Sequence, residues 1–317
     1  MTKNRKKDKV LTFALYVAVV LSVLAVAVGF ALGGDSELNY KMEKELTVNI
    51  SSFEELEKLG ISAYNNTIIL DGDIHITTSD FKIGSDVHPF CGTLNGNGYT
   101  IYFDYNSATD NTSLFGTIAP EAIIENVTFK YGELSVDGTT FGGVAKINQG
   151  TIRNCKVDYD KLSLTKGGMF SPFVTVNRGY ISNVVVDGLA SGEKAGSAEN
   201  DILYGNVCVY NYGTITNSIS LGEFTNFNST DESKIFSMAA TNKGIGSVFV
   251  SNMENGSTQN VLSVVKEGTY VFDRDEEFEY FKNTEEALTN NRIFYDYDFN
   301  NRIWVIVNDS MQIKILG

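Results

Sequence analysis

At 317 residues with 43% hydrophobic content, the chain is long enough to bury a sizeable core, which excludes wholesale disorder. A formal net charge of −14, with no basic patch beyond the first ten residues, excludes the cation-rich surface that phosphate recognition needs, so no nucleic-acid partner is expected. Gly 29 against Pro 3, with many Asn, Thr and Ser, predicts an all-β chain of short strands joined by tight turns.

The chain opens with Lys3, Arg5, Lys6, Lys7 and Lys9, followed by Val10 to Leu32 without one charged residue. At about 1.5 Å per helical residue that run spans a bilayer core of about 30 Å, and the basic flank places the N-terminus in the cytoplasm. Ala25-Val26-Ala27 offers a signal-peptide reading, but the apolar region is long for one and a polar segment before the cut is missing. The expectation is a single-pass protein of the cell membrane, with the membrane as partner of its N-terminal helix and the C-terminal domain extracellular.

Gly33 to Lys44 reads as a polar stalk. Phe53, Leu56 and Leu59 then recur at helical spacing behind Ser51 and Ser52, either of which can cap the helix, with acidic residues in its first turn. From Thr67 the period changes to two, and a phrase Asn-x-Gly-x-Ile-x-Asn returns at Asn148–Asn154, Asn177–Asn183 and Asn211–Asn217. Weaker copies end at Asn126 and Asn260, so the spacing is about 28, 29, 34 and 43 residues.

Each copy reads as one coil of a solenoid: the glycine permits the turn, the isoleucine enters the core, and the last asparagine sits at a corner. Asn126, Asn154, Asn183 and Asn217 are the expected structural ladder, bonded to their equivalents above and below. After the corner, Val127/Phe129, Cys155/Val157 and Val184/Val186 alternate with outward residues, whereas Ser218-Ile219-Ser220-Leu221 breaks that parity. Either the register shifts there or the serines face a polar core.

The divisions that follow are a basic cytoplasmic tail at 1–9, a signal anchor at 10–32, a stalk at 33–45, an N-terminal cap at 46–66, parallel β-helix repeats at 67–268 and a C-terminal cap at 269–317. The three cysteines, Cys91, Cys155 and Cys208, form no metal-binding or CxxC pattern and read as small buried hydrophobes.

Three passages carry a family resemblance: Ile68–Ile74 with Phe81–Gly84 and Phe90–Ile101, the repeats Leu114–Asn126 and Gly142–Asn154, and Phe299–Leu316 around Trp304. The chain resembles the GLUG-type repeat proteins of bacterial surface adhesins and of the non-catalytic parts of some IgA-protease-like surface proteins. The resemblance implies a right-handed parallel β-helix in the cell envelope and no particular reaction. Phe81 stands where that family usually has Trp, and Asn95 where Asp is common.

Motifs for zinc, phosphate-loop or serine-hydrolase chemistry are missing, and His75 and His88 are the only histidines, so no catalytic residue and no cofactor are assigned. Counting four residues beyond each corner asparagine gives Lys130, Asp158, Asp187 and Leu221. Asp158 and Asp187 are therefore expected one rung apart, the single place where two stacked carboxylates could hold Ca²⁺, with solvation beside Lys130 as the plainer expectation. The expected function is non-catalytic binding of a surface glycan or protein, that is, adhesion. A β-helical carbohydrate-active enzyme (polysaccharide lyase or glycoside hydrolase) and a structural envelope spacer are the alternatives.

Overall fold

A computed structural model describes residues 46–59, 65–110, 112–138, 140–165, 167–192, 202–221, 299–308 and 310–316, together with the backbone of short strands between 223 and 281. The expected anchor and stalk lie outside these residues. Among the described residues no helix is long and apolar enough to cross a membrane.

One helix, α1 (Phe53–Leu59), follows the first strand β1 (Thr47–Ile50). Ser52 caps it, accepting from the Glu55 amide at 3.3 Å, while the Glu55 carboxylate reaches back to the Ser51 amide at 2.8 Å. This is a variant of the capping box, shifted one residue outward. Those bonds to Ser51 hold the Glu55 carboxyl below its usual pKa. Leu56 is buried and Phe53 meets Phe81 edge-on at 5.1 Å, so α1 covers the apolar end of the first rungs.

The strands that follow are β2 (Thr67–Leu70), β3 (Ile74–Ile76), β4 (Thr93–Asn95), β5 (Thr100–Phe103), β6 (Ser107–Thr109), β7 (Phe115–Ile118), β8 (Ile123–Asp137), β9 (Thr140–Gly142) and β10 (Ala145–Asn148). Next come β11 (Thr151–Leu164), β12 (Gly168–Ser171), β13 (Val174–Asn177), β14 (Tyr180–Gly192), β15 (Ile202–Tyr204), β16 (Cys208–Asn211), β17 (Thr214–Ser220) and β18 (Glu223–Thr225). The last are β19 (Ala240–Thr241), β20 (Ser251–Asn252), β21 (Ser257–Val264), β22 (Thr269–Tyr270), β23 (Phe278–Phe281), β24 (Trp304–Val307) and β25 (Ser310–Ile313).

They stack in parallel. The long sheet runs β1-β2-β4-β8-β11-β14-β17-β21-β23, a second sheet β20-β16-β13-β10-β7, and a third β15-β12-β9. Coils 123–148, 151–177 and 180–211 each give one strand to every sheet, so the protein is a three-sided parallel β-solenoid. The first strand lies inside the stretch read as the N-terminal cap, and β23 carries parallel pairing into the stretch read as the C-terminal cap.

The isoleucine of the phrase does enter the core. Ile68, Leu94, Ile124, Ile152, Ile181 and Ile215 are paired rung to rung and fully buried, each stabilising by about 1.5–3 kcal/mol relative to exposure. Cys155 and Cys208 are buried free thiols, and burial holds their pKa well above the usual range, whereas Cys91 is only half-buried.

Asn126, Asn154, Asn183 and Asn217 come to one corner, with left-handed φ of 55°, 51°, 51° and 49°. Asn tolerates this conformation better than other residues with a Cβ, which explains the residue type. Asn126 is buried and donates to Asn95 Oδ1 at 3.2 Å; the other three are half-buried.

A deeper ladder belongs to the first asparagine of each phrase. Asn148 Nδ2 donates to Asn177 Oδ1, and Asn177 Nδ2 to Asn211 Oδ1, both at 2.8 Å between residues with no exposed surface. Each Oδ1 also accepts from the amide two residues on, at Gly150, Gly179 or Gly213. Asn177→Ala should therefore cost about 1–3 kcal/mol in urea unfolding, because it strips the acceptor from the buried Asn148 amide group and from the Gly179 amide and removes one donor from Asn211 Oδ1. Asn183→Ala should cost about 1–2 kcal/mol through its φ, and Asn183→Gly should recover most of that.

The broken parity at Ser218 and Ser220 is a polar core, not a register shift, because Ser220 pairs with inward Val186 and Ile219 with Val185. Ser220 Oγ accepts from Asn206 Nδ2 at 2.9 Å, and Asn206 Oδ1 accepts from the hydroxyls of Tyr159 at 2.8 Å and Tyr204 at 3.0 Å. Ser218 donates to Thr216 O at 2.8 Å. Each side chain of this polar cluster therefore has a partner, without which its burial would be costly.

The strand pair around Trp304 is antiparallel and lies against the outer face of the long sheet. Its cluster joins Phe299, Trp304, Met311 and Ile313 to Val185, Ile219 and Leu221. The expected alternation in the long strands therefore fails where the pair covers them: outward Lys156 and Val185 are buried as well as their inward neighbours.

Candidate functional site

The structure brings together the residues found by counting from the corner. Lys130, Asp158 and Asp187 face one another on consecutive rungs of the long sheet, and two further residues extend the row, Tyr102 beside Lys130 and His75 beside Tyr102. Counting from corner asparagines missed Tyr102 because its own corner holds Gly98, four residues earlier, with φ of 90°. The fourth expected member, Leu221, is buried under the C-terminal strand pair.

Two lysines balance the charge of Asp158. Asp158 Oδ2 lies 3.7 Å from Lys130 Nζ and 3.6 Å from Lys156 Nζ, and Lys156, nearly buried, also donates to Ser310 Oγ at 3.2 Å. His75 Nδ1 is 2.7 Å from Asp104 Oδ2, and its ring stacks on Tyr102 at 4.6 Å. Among the described residues no three His, Cys, Asp or Glu side chains converge as a metal-holding group. Asp158 is thus the counterion of a nearly buried lysine. Asp158→Asn should lower stability by about 1 kcal/mol in thermal unfolding, and Asp187→Asn by less, with no calcium-dependent shift in either variant.

A different surface gathers the aromatic residues. In the second sheet Ile147, Val176 and Tyr210 pair rung to rung and are half-buried, facing outward. At the adjoining corner Tyr212 is 36% exposed and Tyr180 41%. The Tyr210 and Tyr212 ring centroids lie 6.5 Å apart, and the Arg178 guanidinium sits 5.3 Å over the Tyr212 ring. Sequence reading passed over these residues because they occupy the variable positions of the phrase. The only signal was that Arg178 and Tyr212 stand where the first copy has Gln149, and Tyr180 where the other two copies have Thr151 and Thr214.

Fold and surface together define a parallel β-solenoid with one outer face strapped by its own C-terminal strands and another bearing apolar and aromatic side chains. The chain is similar in fold to the crystal structure of a Bacteroides ovatus protein that carries the provisional name immunoglobulin A1 protease: TM-score 0.51 and 15% identity, covering 85% of this chain and 92% of that one. No protein-family profile and no curated protein sequence matches the chain.

Proposed function

We propose that this is a non-catalytic surface-binding, adhesion-type protein, held in the cell membrane by Val10 to Leu32, with a right-handed GLUG-like solenoid presented outside the cell. The observation that carries the reading is the Ile147–Val176–Tyr210 row, apolar side chains facing outward beside an exposed tyrosine and arginine. Tyrosine and arginine are the residues that most often anchor interfaces, and such clusters on a soluble surface mark interaction sites. The basic flank and apolar run support the anchor, and right-handed crossovers are the rule for parallel strands.

Protease added to intact cells should remove the domain while the anchor fraction stays with the membrane. The purified full chain, offered glycans, polysaccharides and immunoglobulin A1, should retain a ligand and cleave none of them. Turnover of any of these would place the protein among enzymes and overturn the reading.

A further inference from the structure

The corner where the second sheet turns into the long sheet is built more firmly than a surface turn needs. Arg178 and Tyr212 occupy equivalent places on successive rungs, each directly after a fully buried asparagine of the deep ladder. Their own amides are tied down as well, Arg178 N donating to Asn148 O and Tyr212 N to Asn177 O, both at 2.7 Å. The backbone beneath both side chains is therefore rigid, and a ligand meeting them would lose little entropy in ordering it.

The side chains are presented to solvent. Tyr210, Tyr212 and Arg178 form one continuous strip, ring to ring at a tilt of 33° and ring to guanidinium. Among the described residues no carboxylate lies within ion-pairing distance of Arg178, although the chain as a whole carries a net charge of −14. The Arg178 guanidinium, held over the Tyr212 ring, carries a planar fork of N–H donors that matches a carboxylate in two-point contact. Burial raises the Tyr210 hydroxyl above its usual pKa, with Tyr212 adding to the effect, so it remains a hydrogen-bond donor at neutral pH.

Resting on the surface-binding reading, we propose that Tyr210, Tyr212 and Arg178 form a subsite for a glycan whose sugars carry carboxylates. A pyranose ring lays its C–H face on an open tyrosine ring, its hydroxyls exchange hydrogen bonds with the tyrosine hydroxyls, and its carboxylate meets the Arg178 edge. Two adjoining aromatic rings favour a sugar over an acidic peptide, which would engage the cation and leave the rings unused.

The test uses the full chain in detergent on an array of uronate- and sialate-bearing glycans, each beside its carboxyl-reduced counterpart, with polyglutamate as a further arm. Acidic members should be retained roughly tenfold or more over their neutral partners, the scale of one charge-assisted hydrogen bond. Arg178→Met should erase that preference while leaving neutral binding unchanged, Arg178→Lys should restore part of it, and Tyr212→Ala should weaken both forms. Both positions are exposed corner side chains, and an unchanged melting temperature confirms that the fold is intact. Glycan binding that ignores all three variants overturns the subsite and leaves the surface-binding reading standing. Equal retention of polyglutamate overturns it in favour of an acidic protein partner. Retention of no glycan overturns it and leaves only protein ligands for the broader reading, and cleavage of a glycan overturns both.

Discussion

Trp304→Ala is expected to cost about 3–5 kcal/mol, the range for removing a large buried aromatic. Trp304 is 1% exposed and meets Phe299 edge-on at 5.2 Å, within the cluster that covers Val185, Ile219 and Leu221 on the outer face of the long sheet. The indole Nε1 has no hydrogen-bond partner among the described residues, so volume is what the site uses, and Trp304→Phe should cost clearly less. Loss of the indole should loosen the strand pair as a unit. Leu316 N would release Asn97 O, now bonded at 2.9 Å, and Lys156 would lose Ser310. Urea unfolding measures the cost, and hydrogen exchange at the amides of Leu316, Val305 and Gln312 shows whether the pair has come away. A cost below about 0.5 kcal/mol, the scale of ordinary surface changes, would mean that the pair does not hold the solenoid.

Gly179→Ala is expected to cost about 3 kcal/mol, near the upper range for forcing extra volume into a packed interior. An added Cβ would sit 2.1 Å from Gly150 O and 2.5 Å from Gln149 C, both backbone atoms of the rung before, and Gly213 repeats the contact 2.1 Å from Gly179 O. Side chains can move aside, but the backbone of a stacked rung cannot without opening the spacing of about 4.8 Å on which the sheets depend. Gly132→Ala is the control: no atom lies within 4 Å of its added Cβ, and the change should be neutral or stabilising by up to about 1 kcal/mol. Comparable melting temperatures for the two variants would sink the close-approach argument.

These glycines show where reading by residue type went astray. The phrase suggested that glycine permits the turn, yet Gly150, Gly179 and Gly213 have no positive φ, and the left-handed conformation falls to the asparagine four residues on. Their role is closeness to the neighbouring coil, which depends on stacking and leaves no mark within one coil. The two asparagines of the phrase posed a similar problem, since both ends carry the same residue type. Which side chain turns inward to a buried ladder and which takes the bend depends on the angle at which two sheets meet.

The row from Lys130 through Asp158 to Asp187 was legible because residues at equal distances from equivalent corners must stack when coils have equal height. The paired serines were legible as an exception, but not the network that satisfies Ser220: Asn206 donates to it and in turn accepts from Tyr159 and Tyr204, which come from two different coils. The aromatic run Phe294-Tyr295-Asp296-Tyr297-Asp298-Phe299 reads in the sequence as packing for a terminal cap, with a sugar-stacking patch as the alternative; residues 294–298 lie outside the described residues, and Phe299 packs against Trp304.

By itself the sequence determined the all-β solenoid, the isoleucine column and the in-register stacking of its coils, because a hydrophobic period and a repeated turn phrase are properties of consecutive residues. Only the tertiary structure decided that the C-terminal strands lie along the outer face of the long sheet and that Arg178 meets Tyr212. Both contacts join residues whose separation along the chain carries no period, so only the fitting of surfaces in three dimensions selects them.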